Sequence, residues 1–578
     1  MSFLLVHVPN SFQNWLFGNT PKTKETRDNR YPSIYFISCI IFYSVYLLLR
    51  QPGWTFGGGM WAEMATNYYV NSNAPSILTN LFSTDSGYIP LPQRIIAYLG
   101  SILKIPDFFI SYYYTWSGIL ITSCMVGAFC LAPFRELVRS DCLRFICSIV
   151  ILLVSDFETR TFINFTYYAA FFIAVTTALA MVQKDKDCPW WAWAIPLLII
   201  SKPAVLSALP AMLLAALFSK SRFKLITLFA GLLCAVQLAN IYFNFSAGPF
   251  NPVNNFSTLE KIVSAGKYFI GFLGAFSLGR YIPIGTSKFL WLGAFIFFSC
   301  LVILSKKRTK AGALLITGLS MLFSNVLLNT FALSDTWNSN MVILAGVPVY
   351  RHIIVGYFGV VLVVVGLIEI YTQHRKPSKN ILSQAPAPLI FFIWFLLSGW
   401  IIFSWKIGKP PVSPVLYNSQ WQEQASLIKS TDAICIPIDP FGWVYSKNCW
   451  PLNPEMNWSK PIEFRSPSQH GKDFVIALEP PITSKYKNFI SIAILVRSQV
   501  SEVNVKGELV LIMKDGNIKS LGGGRQLNSS GGLIMFTNKD TVPLEDIQNF
   551  ILKFDTPVDI GYVSNVPGDN PAVIWMGN

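Results

Sequence analysis

The chain has 578 residues, 52% hydrophobic, 15% aromatic and only 13% charged, with a net charge of +15. A soluble domain is roughly a quarter charged, so this composition excludes a soluble protein and indicates an integral membrane one. The basic excess lies in short clusters between apolar runs, which argues against a nucleic-acid partner and matches the positive-inside pattern of a multi-span protein.

In chain order, residues 1–32 read as a cytoplasmic N-terminal segment. A weakly amphipathic start (Phe3, Leu4, Leu5, Trp15, Leu16, Phe17) leads into a polar patch with Lys22, Lys24, Arg27 and Arg30, and neither resembles a cleavable signal peptide. A span takes roughly 20 apolar residues. Clear candidates are 33–49, 109–133, 224–243, 287–305, 311–329, 352–371 and 387–405. Two helical pairs join them: 145–155 with 165–182, broken by DFETRTFIN, and 189–201 with 204–218, broken at Ser201-Lys202-Pro203. The reading is a polytopic α-helical membrane domain over 33–405 with about eleven spans, and a first loop at 50–93. Residues 94–104 suit a short interfacial helix, and the stretch around Lys261 and Lys267 an interfacial or re-entrant one.

Loop charges set the orientation. Arg135/Arg139/Arg144, Lys184/Lys186, Lys220/Arg222/Lys224, Lys306/Lys307/Arg308/Lys310 and Arg375/Lys376/Lys379 fall on the same side as the N-terminal cluster. That side is cytoplasmic, and an odd number of spans carries 406–578 across the membrane. This tail of about 170 residues is long enough for its own core. Its short runs FVIALE, ISIAILV, ELVLIMK and GLIMFT read as strands, with turn signals at Lys514-Asp515-Gly516-Asn517 and Gly522-Gly523-Gly524. A small, mostly β sandwich is expected. Eight of the ten cysteines lie in or beside apolar spans, where a free thiol is a small hydrophobe. Cys435 and Cys449 lie in the tail; they form either a disulfide in an oxidising compartment or two unpaired thiols. No metal-type Cys/His spacing occurs, so no metal or cofactor is expected.

The chemistry-bearing residues cluster on the non-cytoplasmic side: Glu63, Asp85, Asp156, Glu158, Arg160, Lys202, Lys261, Lys267, Arg280, Asp335 and Arg351. Carboxylates and cations at one face of a greasy bundle suit a reaction in which a carboxylate deprotonates an acceptor hydroxyl while cations hold a departing phosphate. Glu63 follows WTFGGGMW, where glycines allow close backbone approach and aromatics such as Trp61, with Tyr68 beyond, offer a floor for a sugar. It reads as a catalytic base or as an ordinary surface glutamate. Asp85, in TDSGYIPLPQR, has turn chemistry as its alternative role. Asp156, Glu158 and Arg160 divide evenly between a functional cluster and an internally satisfied ion-pair network. Lys202 suits phosphate contact or simple snorkelling. Arg351, followed by His352, opens a span and is placed for phosphate contact; Arg280 suits the same role.

The layout of an N-terminal span, a long acidic first loop, many spans and a C-terminal domain resembles the GT-C class of membrane glycosyltransferases. More narrowly, WAEMATNYYVNSNAPSILTNLFSTDSGYIPLPQR resembles the first loop of the bacterial serotype-converting O-antigen glucosyltransferases. The resemblance implies transfer of a hexose, glucose in that family, from a polyprenyl-phosphate donor to lipid-linked O-antigen on the periplasmic face of the inner membrane. It implies Glu63 as the base and Asp85 as the second acidic position; Glu63 stands where many members of the class have Asp. Competing readings are a flippase for lipid-linked glycans, an O-antigen polymerase or ligase, another GT-C transferase, and a non-enzymatic membrane protein whose tail binds glycans.

Overall fold

The computed structural model describes residues 13, 17, 30–85, 87–183, 187–243, 256–278, 286–332, 351–373, 387–398, 419–440, 443–451, 462–470, 473–478, 487–499, 503–527, 531–563, 571 and 573–578. Two compact units divide the chain. The first comprises Met1–Arg50, Ala74–Tyr98 and Trp116–Lys409; the second comprises Gln51–Asn73, Leu99–Thr115 and Pro410–Asn578. The first loop is therefore split: residues 51–73 belong with the tail and the rest with the helices.

Seven helices among the described residues are long and apolar enough to cross a membrane: Tyr31–Arg50, Asp107–Glu136, Phe165–Val182, Ser221–Phe243, Lys288–Lys306, Gly312–Ala332 and Ile354–Gln373. The protein is a polytopic membrane protein with a C-terminal β-sheet region. Three shorter apolar helices, Trp190–Ile199, Pro203–Phe218 and Ala387–Leu397, fall in segments read as spans from the sequence. The 145–155 segment is an α-helix over Asp141–Leu153, whose first turn is capped by Ser140 accepting the Leu143 amide at 3.2 Å. The Leu91–Ile102 helix covers the expected interfacial segment. Thr258–Leu278 forms one 21-residue helix across Lys261 and Lys267.

Phe165–Val182 is wholly buried and forms the centre of the helical unit. Its neighbours pack through small residues, as lipid gives helices no hydrophobic reason to associate and close approach must supply the attraction. A Cβ on Gly318 would lie 2.4 Å from the Gly359 carbonyl oxygen, and one on Gly359 2.5 Å from that of Gly318. The helices Gly312–Ala332 and Ile354–Gln373 therefore meet backbone to backbone.

The tail within the second unit is built from antiparallel strands. A hairpin pairs β1 (Ile434–Ile438) with β2 (Trp443–Lys447). One sheet has the order β3-β13-β7-β12-β4, from Trp450–Pro451, Val573–Gly577, Asn488–Ser498, Val558–Val563 and Ile462–Arg465, with β10 (Gly532–Pro543) also paired to β7. The other runs β5-β6-β11-β8-β9, from Ser468–His470, Asp473–Leu478, Ile547–Phe554, Val503–Met513 and Ile518–Leu527. Both sheets feed one core that includes Ile492, Ile494, Leu509, Phe536, Phe550 and Trp575. The four apolar runs read from the sequence fall in β6, β7, β8 and β10. The triple glycine does not form a turn: it lies inside β9, with Gly523 opposite Gly507 of β8. A Cβ on Gly523 would come within 2.9 Å of the Phe536 ring, and one on Gly507 would meet Phe536 and Phe554 at 2.9 Å. These glycines make room for core aromatics. Cys435 and Cys449 form a disulfide, and both are buried against Ile490, Ala493 and Leu495.

Candidate functional site

In the helical unit, the strand-like turn from Asp85 to Tyr88 closes on itself. The Asp85 amide donates to the Tyr88 carbonyl at 2.7 Å and the Tyr88 amide returns to Asp85 at 3.0 Å, around Gly87 at φ +85°. The rest of the unit then fixes this turn. Asn240 donates to the Gly87 carbonyl at 2.7 Å, and the Ile89 amide donates to Gln237 Oε1 at 3.0 Å. Gln237 in turn donates to the Ile200 carbonyl at 2.7 Å, and the fully buried Arg94 donates to the Ser83 carbonyl at 3.1 Å. Two polar residues of an otherwise greasy helix thus tie the turn to the corner that carries Lys202.

At that corner Lys202 is extended between two helical segments and only 4% exposed. A buried ammonium is tolerated only when paired. Its Nζ donates to the Tyr88 hydroxyl and sits 4.6 Å from the Tyr88 ring centroid. The Tyr88 hydroxyl donates to Asp85 Oδ2 at 3.3 Å, and Asp85 is itself 4% exposed. Lys202, Tyr88 and Asp85 therefore form a continuous donor chain from ammonium to carboxylate.

The DFETR segment brings further charge. Asp156 caps the short helix Phe157–Arg160, its Oδ1 accepting the Thr159 amide at 2.9 Å. Burial pushes the Asp156 carboxyl up, opposed by its bonds from Thr159 and by the charges of Arg160 and Arg351. Glu158 accepts Arg351 Nη1 at 2.7 Å, both side chains remaining more than a third exposed. His352, just before the Ile354–Gln373 helix, has its imidazole pushed down to about 4 by burial and by the charges of Arg351 and Lys202. Arg160 is used differently. Its buried guanidinium donates to Ser155 Oγ at 2.8 Å, the Leu153 carbonyl at 2.9 Å and the Ser155 carbonyl at 3.0 Å, and so braces the end of the Asp141–Leu153 helix. The structure thus joins Asp85 to Lys202 through Tyr88, and Glu158 to Arg351, while Asp156 caps its own short helix. Arg280 and Asp335 lie outside the described residues.

Glu63 lies in the second unit. It precedes a single π-helical turn, Met64–Tyr69, a form common at functional sites. Ala62 before it has φ +44°, in the left-handed region that side chains disfavour. The backbone there is held by the start of the tail. The Ala62 amide donates to the Asp439 carbonyl, the Asp439 amide donates to the Met60 carbonyl at 3.0 Å, and the Met60 amide donates to Ser419 Oγ at 3.3 Å. Trp61 is buried edge-on against Trp54 at 6.3 Å, and Tyr68 is fully buried. Both aromatics serve as packing in this unit.

Sequence reading passed over Tyr88, Gln237 and Asn240. The available signal was the pair of amides three residues apart in an apolar helix, since polar groups at membrane depth carry a cost that something must offset. Among the described residues no group of three or more His, Cys, Asp or Glu side chains is placed to hold a metal ion. Comparison with known proteins finds no family model, no curated protein and no solved structure that matches the chain.

Proposed function

We propose that the chain is an inverting membrane glycosyltransferase that moves a hexose from a polyprenyl-phosphate donor to a lipid-linked glycan. In this reading the N-terminus is cytoplasmic, the membrane is a bacterial inner membrane, and the helical unit is GT-C-like with about eleven spans. The active site and tail face the periplasm, and the acceptor is O-antigen. The observation that carries the reading is the buried Lys202, joined through the Tyr88 hydroxyl to the buried Asp85.

Two cations set among apolar helices suit a ligand with a phosphodiester head and a polyprenyl tail: the tail partitions with the helices and the head neutralises the cations. The acceptor hydroxyl oxygen attacks the anomeric carbon while the bond from that carbon to the phosphate oxygen breaks. The electron pair leaves on the polyprenyl phosphate, which Lys202 and Arg351 stabilise as its charge grows. The hydroxyl proton passes to a carboxylate, Glu63 on the resemblance, and then to water. Asp85, already engaged by Tyr88, sets the field around the leaving phosphate. The singly charged donor is balanced by lysine and arginine, so no metal or cofactor is invoked.

The test pairs binding with turnover in purified, lipid-reconstituted protein. Lys202→Gln and Arg351→Gln are expected to weaken retention of a radiolabelled polyprenyl-phosphate hexose about tenfold each. Glu63→Gln is expected to retain the donor and lose transfer. Unchanged donor binding in both cation variants overturns the phosphate assignment. Full turnover by Glu63→Gln moves the base to Asp85.

A further inference from the structure

The second unit holds a cavity of about 250 Å3 beside Tyr69, the last residue of the π-helical turn that follows Glu63, lined also by Ser72, Asn73, Ser101, Asp107 and Lys429 among others. Drug-sized ligands occupy roughly 300–1,000 Å3, so this space admits one small group, of the size of a single sugar ring. Its lining is mostly polar. Asp107 accepts the Tyr69 hydroxyl at 2.7 Å on Oδ1 and Lys429 Nζ at 3.0 Å on Oδ2. An ionised carboxylate offers about four acceptor positions, so these two bonds leave room for incoming hydroxyl donors. Lys429 is 75% exposed and keeps ammonium protons directed to solvent or ligand. Asn73 and Ser101 meet at 3.3 Å and present an amide and a hydroxyl side by side.

The wall is rigid. Tyr69 packs edge-on to Trp421 at 5.2 Å and to Tyr445 at 5.7 Å, while Trp421 Nε1 donates to the Asp107 carbonyl at 2.9 Å. Preorganised donors and acceptors around an aromatic wall suit a ligand that has both hydroxyls and an apolar face. Flanking segments leave Ile102, Leu103 and Phe109 more than half exposed, an apolar skirt that fits against lipid.

We infer that this cavity is a monosaccharide-binding subsite, in which a pair of adjacent sugar hydroxyls is read by Asp107 as acceptor and Lys429 as donor, with the sugar carried on a membrane-anchored glycan. One hydroxyl donates to the carboxylate; its neighbour accepts from the ammonium. Asn73 and Ser101 bind the ring's remaining polar edge. Saccharide binding here stands independently of the transferase reading, whereas its use to hold the acceptor rests on that reading.

The test is saturation-transfer NMR on the full-length protein in nanodiscs, with the methyl glycosides of glucose, galactose, rhamnose and N-acetylglucosamine as probes. At least one is expected to bind, and Lys429→Gln, at an exposed position that tolerates substitution, is expected to weaken it about tenfold. Asp107→Asn, which keeps the side-chain shape, gives a second loss. The inference is overturned if no glycoside binds, if both cavity variants bind normally, or if only glycerophosphate headgroups compete for the site. Glycoside binding without any hexose transfer leaves the subsite standing and removes the transferase reading.

Discussion

At the scale of single residues, the Tyr88 hydroxyl is the connection on which the helical-unit cluster depends. It accepts from the buried Lys202 and donates to the buried Asp85. Tyr88→Phe preserves the ring under the ammonium and deletes both bonds. A hydrogen bond to a charged group contributes about 1.5–3 kcal/mol, and an uncompensated buried charge costs more. The variant is expected to fold with a clearly lowered melting temperature in detergent and with reduced donor retention; an unchanged melting curve would show that Lys202 is held by other groups. His352 makes a pH-dependent prediction. Its pKa of about 4 in the folded chain lies below the value of about 6.5 expected when unfolded, so the native protein holds the imidazole neutral. As pH falls from about 6.5 toward 4, the unfolded chain binds a proton that the native one refuses, and stability present above that window is lost within it. The loss is on the order of a few kcal/mol. Melting temperature followed across this range should fall less steeply in His352→Asn than in wild type. Equal slopes would place the sensitivity elsewhere.

At the scale of elements, the Glu63 turn illustrates how a tail shapes a loop far from it in sequence. Gln422 Nε2 donates to the Gly58 carbonyl at 2.6 Å and to Ser111 Oγ at 3.0 Å, and Gly58 adopts φ +62° to allow that approach. Gln422→Ala removes these partners and is expected to destabilise the second unit by about 1–3 kcal/mol, read as earlier unfolding of the tail in hydrogen exchange. Unaltered exchange in 51–73 would show that the loop holds its own shape. Element types were largely readable from the sequence, because length and hydropathy decide helices at membrane depth and short apolar runs decide strands. The DFETR break was readable as a charge-bearing turn, and Asp156 caps its short helix. The β9 glycines were misread because glycine signals a turn and a close approach with the same letter; only the register opposite Gly507, beneath Phe536, separates the two.

At the scale of the whole molecule, the sequence conveyed a polytopic helical protein with a β-rich tail, but not how the first loop divides. Hydropathy marks 50–93 as one segment between spans, whereas contacts assign 51–73 to the tail's unit and 74–93 to the helices. That division depends on pairings such as Met60 with Asp439, which are separated by hundreds of residues and carry no local signature. The candidate cluster was half legible for a similar reason. Lys202, Asp85, Glu158 and Arg351 announce themselves as ionisable groups beside apolar runs, while Tyr88, Gln237 and Asn240 vanish into an aromatic-rich, apolar average. Lipid-phosphate sugar transfer is measured on the wild-type protein in proteoliposomes with radiolabelled polyprenyl-phosphate glucose and lipid-linked O-antigen. Label should appear in the glycan product, abolished by Glu63→Gln and reduced by Lys202→Gln. Intact protein that transfers no hexose from any polyprenyl-phosphate donor, yet moves lipid-linked glycan between leaflets, would contradict the transferase reading and establish a flippase instead.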